Sequence, residues 1–389
     1  MREAAPDSSS IAADMALQLG VRANQGPSEL SVRAAARPSF PVAGADRASA
    51  ATIAIVKVRR RWLDYLTCLS VRMLTAVLHC FPVDANLRTA RWLGRMWYRF
   101  PRWLPLIGPA LARHGRRAEE HIRLAMPELP EAEVRRIACE SMQSLAMLAI
   151  EVLFTPRLIS LWSWRRYVSL DGLAEPLRIM LGREGCIMLT AHYGNWEVLG
   201  FTLATLGADI VAVMRPLDNE YLNDFLMAQR EPSGLRLLYK KGATRSMSDV
   251  LDDRQALCFI ADQNAGSKGL FVPFFGRPAS TYRSIGLLAI RHRVPIIVGC
   301  ARRVGNRFRY EVVVNRIIRP ADWEHREDEL TWITSEFTRA IEEFVRAAPE
   351  QYLWIHRRWK SQPRPPRANA APASTAEPNA EWQGTPADG

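Results

Sequence analysis

From Val168 onward, short apolar runs alternate with helix-length segments. "CIMLT" is followed by "EVLGFTLATLG", "DIVAVM", "NEYLNDFLMAQREP", "LRLLY", "MSDVLDDR" and "ALCFIAD". "SIGLLAIRHR", "PIIVGCARR" and "FRYEVVVNRI" come later. Apolar runs of this length read as strands buried on both faces, and the segments between them as the helices of parallel crossovers. The pattern predicts an α/β fold with a largely parallel central sheet flanked by helices. "LTWITSEFTRAIEEFVRAAP" closes it as an amphipathic helix with Ile333, Phe337, Ile341 and Phe344 on one face, turned to the core.

The chain has 389 residues, 48% of them hydrophobic, enough for one large domain or two small ones. Residues 1–55 are rich in Ala, Ser and Pro, lack a secretory signal and are expected to be a disordered leader; residues 362–389 are expected to be a disordered tail. The α/β domain is expected over 114–361. Six cysteines (68, 80, 139, 186, 258, 300) form no CxxC and read as reduced, buried thiols, with no zinc site and no disulfide framework.

Residues 56–113 are expected to be membrane-associating helices. Trp92, Trp97, Tyr98 and Trp103 interleave with Arg91, Arg95, Arg99 and Arg102, which suits rings at headgroup level and cations on anionic phosphates. Met73–Val83 is too short an uncharged run to span a bilayer core. An amphipathic helix pair with a solvated basic face gives the same pattern, as does a nucleic-acid stacking surface. With 52 basic against 40 acidic residues the net charge is +12, which favours acidic partners without choosing among them.

The central motif is "TAHYGNWEVLG". It reads as the end of a buried strand, a tight turn eased by Gly194, and a helix capped by Asn195. His192 then lies in the turn and Glu197 in the first helical turn, where the helix dipole stabilises a carboxylate. Glu197 is expected to fix the imidazole tautomer, leaving the other ring nitrogen to take a proton from a hydroxyl. No serine or cysteine stands in a nucleophile-elbow context, so direct attack by an activated hydroxyl is expected instead of a covalent acyl-enzyme. As spacing alone, a capping Glu beside an unrelated His gives the same pattern.

The surrounding blocks resemble the late acyltransferases of lipid A biosynthesis, within the lysophospholipid acyltransferase superfamily. "AHYGNWE" matches the His-x4-acid block, and "VMRPLDNEYLNDFLMAQRE" resembles the second, with Arg215, Asn219 and Arg230 at familiar places. "ADQNAGSKGLFVPFFGRPAST", "LAIRHRVPIIVGCARR" and "QYLWIHRRWK" follow in family order, and the likeness covers roughly residues 60–361. The chain departs at Asn264, where Asp is usual, and at "STYRSIG", where a threonine–glycine pair is usual.

The resemblance implies transfer of a fatty acyl group from an acyl carrier protein thioester to a hydroxyl of a membrane glycolipid such as a lipid A precursor. His192 would be the base and Glu197 its orienting partner, with no metal and no cofactor. Lysophospholipids or glycosylated phosphatidylinositols are the alternative acceptors, and a non-catalytic basic binding protein is the rival class. The implied site is the cytoplasmic face of the inner membrane, reached peripherally or by one N-terminal anchor, with an anionic membrane surface as partner and no nucleic acid.

Substrate contacts are expected from Arg215, Asn219, Arg230, Asp262, Gln263, Lys268 and Gly269. Arg215, at a strand's end, reads as a phosphate clamp or as a surface arginine paired with Asp218 or Glu220. Asp262 and Gln263 end a strand at the site rim or form a turn. Phe271, Phe274 and Phe275 read as an acyl groove or as core. In "WIHRRWK", His356, Arg357, Arg358 and Lys360 read as phosphate contacts or as a solvated basic end, and His356 is assigned no catalytic part.

Overall fold

The computed structural model describes residues 47–100, 108–170, 172–230, 233–239 and 244–363. The expected tail falls almost wholly outside them, as does most of the expected leader. Helix α1 (Arg47–His79) already begins inside that leader segment. Helices α2 (Val83–Arg99), α3 (Gly108–Ala125) and α4 (Glu131–Leu158) follow. Pro82 and Pro130 stand directly before α2 and α4 in extended backbone, where a proline interrupts a preceding helix and presets the next. The expected boundary at 113/114 falls inside α3. Leu87, Tyr98, Ala118 and Ile122 from α2 and α3 are all buried, so these helices belong to the core of the α/β body.

The rest alternates as the apolar pattern predicts. The elements are β1 (Val168–Ser169), α5 (Ala174–Leu181), β2 (Cys186–Thr190), α6 (Trp196–Thr205), β3 (Ile210–Met214), α7 (Glu220–Arg230), β4 (Arg236–Tyr239), α8 (Thr244–Asp252) and β5 (Ala256–Ile260). Then come β6 (Leu270–Phe274), β7 (Arg277–Thr281), α9 (Arg283–His292), β8 (Ile296–Arg303), β9 (Tyr310–Ile318), α10 (Pro320–Trp323) and α11 (Glu329–Ala347). The sheet order is β1-β9-β8-β2-β5-β3-β4, parallel throughout except for the β8–β9 pair. Strands β8, β2, β5 and β3 therefore end on one edge, where open α/β sheets bind their ligands.

The hairpin β6–β7 stands apart as a two-stranded sheet. Its turn places Phe275 and Gly276 at φ +52° and +68°, the left-handed pair that matches strand twist. Phe275 is held there by its backbone N–H donating to Glu342 (2.5 Å) and by the Arg346 guanidinium over its ring at 4.5 Å. Phe274 and Phe275 are buried against Tyr352, Trp354 and Trp359, which settles the core reading for these two rings. The predicted face of α11 also holds: Ile333, Phe337, Ile341 and Phe344 are buried. All six cysteines are free thiols, but Cys80 is exposed, against the expectation of burial.

Among the described residues, one helix is long and apolar enough to cross a membrane, α4; by burial of half its apolar stretch it is also a core helix. Helices α2 and α4 cross at Gly94, where an added Cβ would lie 2.7 Å from the Gln143 Cα and 2.8 Å from the Met142 carbonyl oxygen. The obstacle is backbone, which cannot swing aside. Gly94→Ala is expected to destabilise the protein by about 1–3 kcal/mol, the usual cost of overpacking. Denaturant unfolding beside Gly115→Ala checks this, since that glycine meets a tyrosine ring edge at 3.0 Å instead of backbone.

Candidate active site

Strands β2 and β5 are paired in parallel with Thr190 opposite Ile260. Two residues beyond each strand end stand His192 and Asp262, and the register brings them face to face. The His192 Nδ1 donates to Asp262 Oδ1 at 2.8 Å. Glu197 was expected in that place and is elsewhere. Both of its oxygens are taken by Arg230, at 2.9 Å from Nε and 2.6 Å from Nη2. The reason is topological. Glu197 sits in the first turn of α6, facing the end of α7, while the carboxylate nearest the imidazole comes from the adjacent strand. A separation of 70 residues hides that pairing from sequence spacing.

Asp262 is fully buried. Burial alone would raise its pKa. The His192 charge, with hydrogen bonds from the His192 ring and backbone, overrides this and holds it down at about 2. The ring is thus fixed with its proton on Nδ1 and Nε2 left as the acceptor. Among the described residues nothing hydrogen-bonds that Nε2. Trp196 meets the imidazole edge-on at 4.9 Å and His356 at 4.4 Å between ring centres.

The turn that carries His192 is tied down on every side. Gly194 has φ +59°, and a Cβ there would collide with the Ala301 carbonyl oxygen. Its N–H donates to the Gln351 carbonyl (3.1 Å), and Asn195 N–H donates to Ala301 O (2.9 Å). Asn195 caps α6 as predicted, its Oδ1 accepting from Val198 N–H at 2.9 Å. Its amide also donates to Glu151 Oε2 at 3.0 Å. Glu151, from α4, forms a two-pronged pair with Arg303, at 2.7 Å to each oxygen, and both side chains are almost wholly buried. Sequence reasoning missed Glu151 and Arg303, because neither stands near the motif in the chain.

The C-terminal segment closes the site. Leu353 N–H donates to His192 O (2.9 Å), and Tyr193 bridges Tyr352. This delivers His356 to His192. Arg358 is buried and donates to Ser280 O and Thr281 Oγ1, both at 2.6 Å, so it braces the hairpin and touches no solvent phosphate. Arg357 and Lys360 remain exposed.

The other expected contacts separate. Arg215 follows β3 on the ligand-binding edge but is exposed, with Asp218 at 3.2 Å. Asn219 caps α7 through Leu222 N–H (3.0 Å) and donates to Asp64 O of α1 (2.9 Å). Gln263 follows Asp262, and Lys268 is exposed. At Gly269 a Cβ would collide with Ser280, so packing alone demands glycine there. Trp196, whose ring meets His192, also borders an apolar cavity of 150 Å³ between β2, β3, β5 and α6. Met188, Leu199, Ala212, Leu235 and Phe259 line it, and the Glu197–Arg230 pair borders it.

Fold and site together give an α/β protein with a carboxylate-held imidazole at the ligand-binding edge of its sheet and an apolar cavity near it. Residues 54–361 match the bacterial lipid A biosynthesis acyltransferase model, and the chain belongs to that family: it is an acyltransferase. The lipid A biosynthesis palmitoleoyltransferase of Escherichia coli K12 is 24% identical over 263 residues, 66% of this chain and 81% of the relative. The lauroyltransferase of the same organism is 22% identical over 306 residues, 77% and 92% respectively. A phosphatidylinositol mannoside acyltransferase of Mycobacterium tuberculosis H37Rv is 27% identical over 176 residues, 43% and 55%.

His356 titrates in a fold-dependent way. Burial, and then the neighbouring His192 charge, lower its pKa from 6.5 to about 4, against the opposing pull of Asp262; His121 lowers it slightly further. Between those values the unfolded chain takes up a proton that the folded chain refuses, so stability falls as pH drops from 6.5 to 4, by about 3 kcal/mol from this group. Replacing the imidazole by His356→Asn is expected to flatten the acid limb of stability by that order, read from denaturant unfolding at pH 7 and pH 4.5.

Proposed function

We propose that the enzyme transfers a fatty acyl group from an acyl carrier protein thioester to a hydroxyl of a membrane glycolipid, a lipid A precursor. The observation that carries this reading is the His192–Asp262 pair, joined through Trp196 to an apolar slot. Asp262 holds the imidazole so that Nε2 accepts the proton of the acceptor hydroxyl. The hydroxyl oxygen attacks the thioester carbonyl, and the carbon–sulfur bond breaks as the ester forms. The imidazolium returns its proton to the departing thiolate. Asp262 stays ionised throughout and stabilises the transient imidazolium, as the acid of a Ser-His-Asp triad does. The neutral His356 adds no opposing charge at neutral pH.

The apolar slot is assigned to the acyl chain, with Arg230 and Glu197 at its border. The family match over residues 54–361 supports the lipid A reading over a phosphatidylinositol mannoside acceptor, for which the likeness covers less of the chain. Arg215, Gln263 and Lys268, on or near the ligand-binding edge, are assigned to the acceptor's polar head.

Helix α1 gives the membrane reading its support. Trp62, Tyr65, Leu69, Met73 and Val77 recur at three- and four-residue spacing and are exposed, and Trp92 and Leu93 of α2 are exposed with them. α1 itself is anchored to α7 through Asn219 and through Cys68, whose thiol meets Tyr221 O at 3.4 Å. An apolar stripe on a docked helix suits insertion into the headgroup layer on the cytoplasmic face.

Purified enzyme with labelled acyl carrier protein thioesters and the glycolipid acceptor tests the chemistry. His192→Ala and Asp262→Asn are each expected to lower kcat by about 10²- to 10⁴-fold in protein that still unfolds cooperatively, so that the loss is separable from unfolding. Wild-type kcat in Asp262→Asn would remove the carboxylate from the mechanism. Free fatty acid as the sole product of the wild type would make the enzyme a thioester hydrolase instead.

A further inference from the structure

Helix α3 and the C-terminal segment enclose a second cleft, of 640 Å³, lined by Arg113, Arg116, Arg117, Glu120, His121, Leu124, Arg357, Trp359 and Lys360. Five cations face one carboxylate. Arg113, Arg116 or Arg117, and Glu120 recur at helical spacing, so α3 turns one charged face into the cleft. Arg357 and Lys360 come from the segment that packs His356 on His192. Among the described residues, Arg113, Arg117, Arg357 and Lys360 have no carboxylate at ion-pair distance. Arg117 is part-buried, and burial, Arg357 and Arg113 all weaken its hold on its proton, against a smaller opposing pull from Glu120.

The fold therefore keeps like charges together in a concavity. Several buried or half-buried arginines elsewhere are paired: Arg303 with Glu151, Arg230 with Glu197, Arg316 with Glu336 and Glu343. Guanidinium groups converging on a hollow suit a phosphoryl group, whose oxygens accept from their forked donors. The C-terminal segment that lines the cleft also packs on His192. His121 is buried and hydrogen-bonded through Nδ1 to Trp354 O at 2.7 Å, and its ring meets Trp359 at 5.9 Å. His121 in turn acts electrostatically on His356, which packs on His192.

We propose that this cleft is a phosphate-binding subsite that seats the phosphoryl group of a substrate while its reacting end lies at His192. The proposal rests on the acyl-transfer reading for its role, but not for the binding itself. Two substrates could bring the phosphoryl group, a phosphorylated glycolipid acceptor or the phosphodiester arm of a carrier-bound donor. Their shared chemistry is what the cleft recognises.

The test uses the full chain and Arg117→Gln/Arg357→Gln, with the single exposed variant Arg113→Gln as a second probe should the double variant melt early without ligand. Inorganic pyrophosphate is titrated first, by thermal shift at low salt. It is expected to raise the melting temperature of the wild type, with the effect lost in the double variant and reduced in Arg113→Gln. This arm does not depend on turnover, so its failure is distinct from failure of the acyl-transfer reading. Steady-state kinetics follow. About a tenfold or greater rise in KM for one substrate, with kcat near wild type, is expected from losing charge-assisted hydrogen bonds. A rise confined to the glycolipid, and abolished when its phosphates are removed, assigns the subsite to the acceptor. A rise confined to the thioester assigns it to the donor. Pyrophosphate binding with both KM values unchanged would mean an adventitious ion only and would overturn the proposal. So would loss of binding to anionic vesicles as the sole defect, which would make the cleft a membrane contact.

Discussion

One buried ion pair organises the turn that carries His192. Glu151 and Arg303 come from a helix and a strand separated by 152 residues, and they meet with almost no solvent contact. Desolvating two charges costs several kcal/mol per ion, which is recovered only when every lone pair and donor is used. The geometry goes far toward that demand: Arg303 grips both oxygens, and the Asn195 amide donates a third hydrogen bond to the carboxylate. Removing one partner of such a pair costs about 3–5 kcal/mol. Asn195 is at once the cap of α6 and a ligand of this pair, so the start of the helix and the position of His192 are set together. Gln351 completes the frame, exchanging hydrogen bonds with both main-chain polar groups of Arg303 at 2.8 and 3.0 Å.

From that frame the site follows by strand register. Parallel strands β2 and β5 end in step, and the residues that leave them, His192 and Asp262, face each other. The α/β alternation was legible in the apolar runs, because strands buried on both faces cannot hide their composition. Asn195 as a cap and Gly194 as a bend were legible because local backbone demands choose those residues. The carboxylate partner was not. Spacing favoured Glu197, five positions on, over an acid on another strand, and periodicity carries no information about which strands are neighbours. The contact of His356 with His192 was not legible for the same reason: it is made by a C-terminal segment folded back along the turn. The Phe274–Phe275 pair could be read as groove or core, and tertiary packing against Trp354 and Trp359 decided for core.

The same separation divides the residues expected to touch substrate. Arg230 is engaged with Glu197 at the border of the apolar slot, and Asn219 serves the packing of α1 on α7. Arg215 and Lys268 remain on the surface. One C-terminal segment contributes His356 to the surroundings of His192 and Arg357 and Lys360 to the basic cleft, while the apolar cavity lies on the other elements of the sheet edge. This arrangement suits a substrate with a long apolar part and a charged head, each held by different chemistry while a hydroxyl is brought to Nε2.

The central claim is that Asp262, and not Glu197, sets the protonation of His192. Nitrogen-15 NMR of histidine-labelled protein reports it directly, since the two ring nitrogens of a neutral imidazole differ widely in shift according to which bears the proton. The account predicts a His192 signal with the proton on Nδ1 near neutral pH, kept in Glu197→Gln and lost or averaged between tautomers in Asp262→Asn. A His192 tautomer unchanged in Asp262→Asn but altered in Glu197→Gln would contradict it.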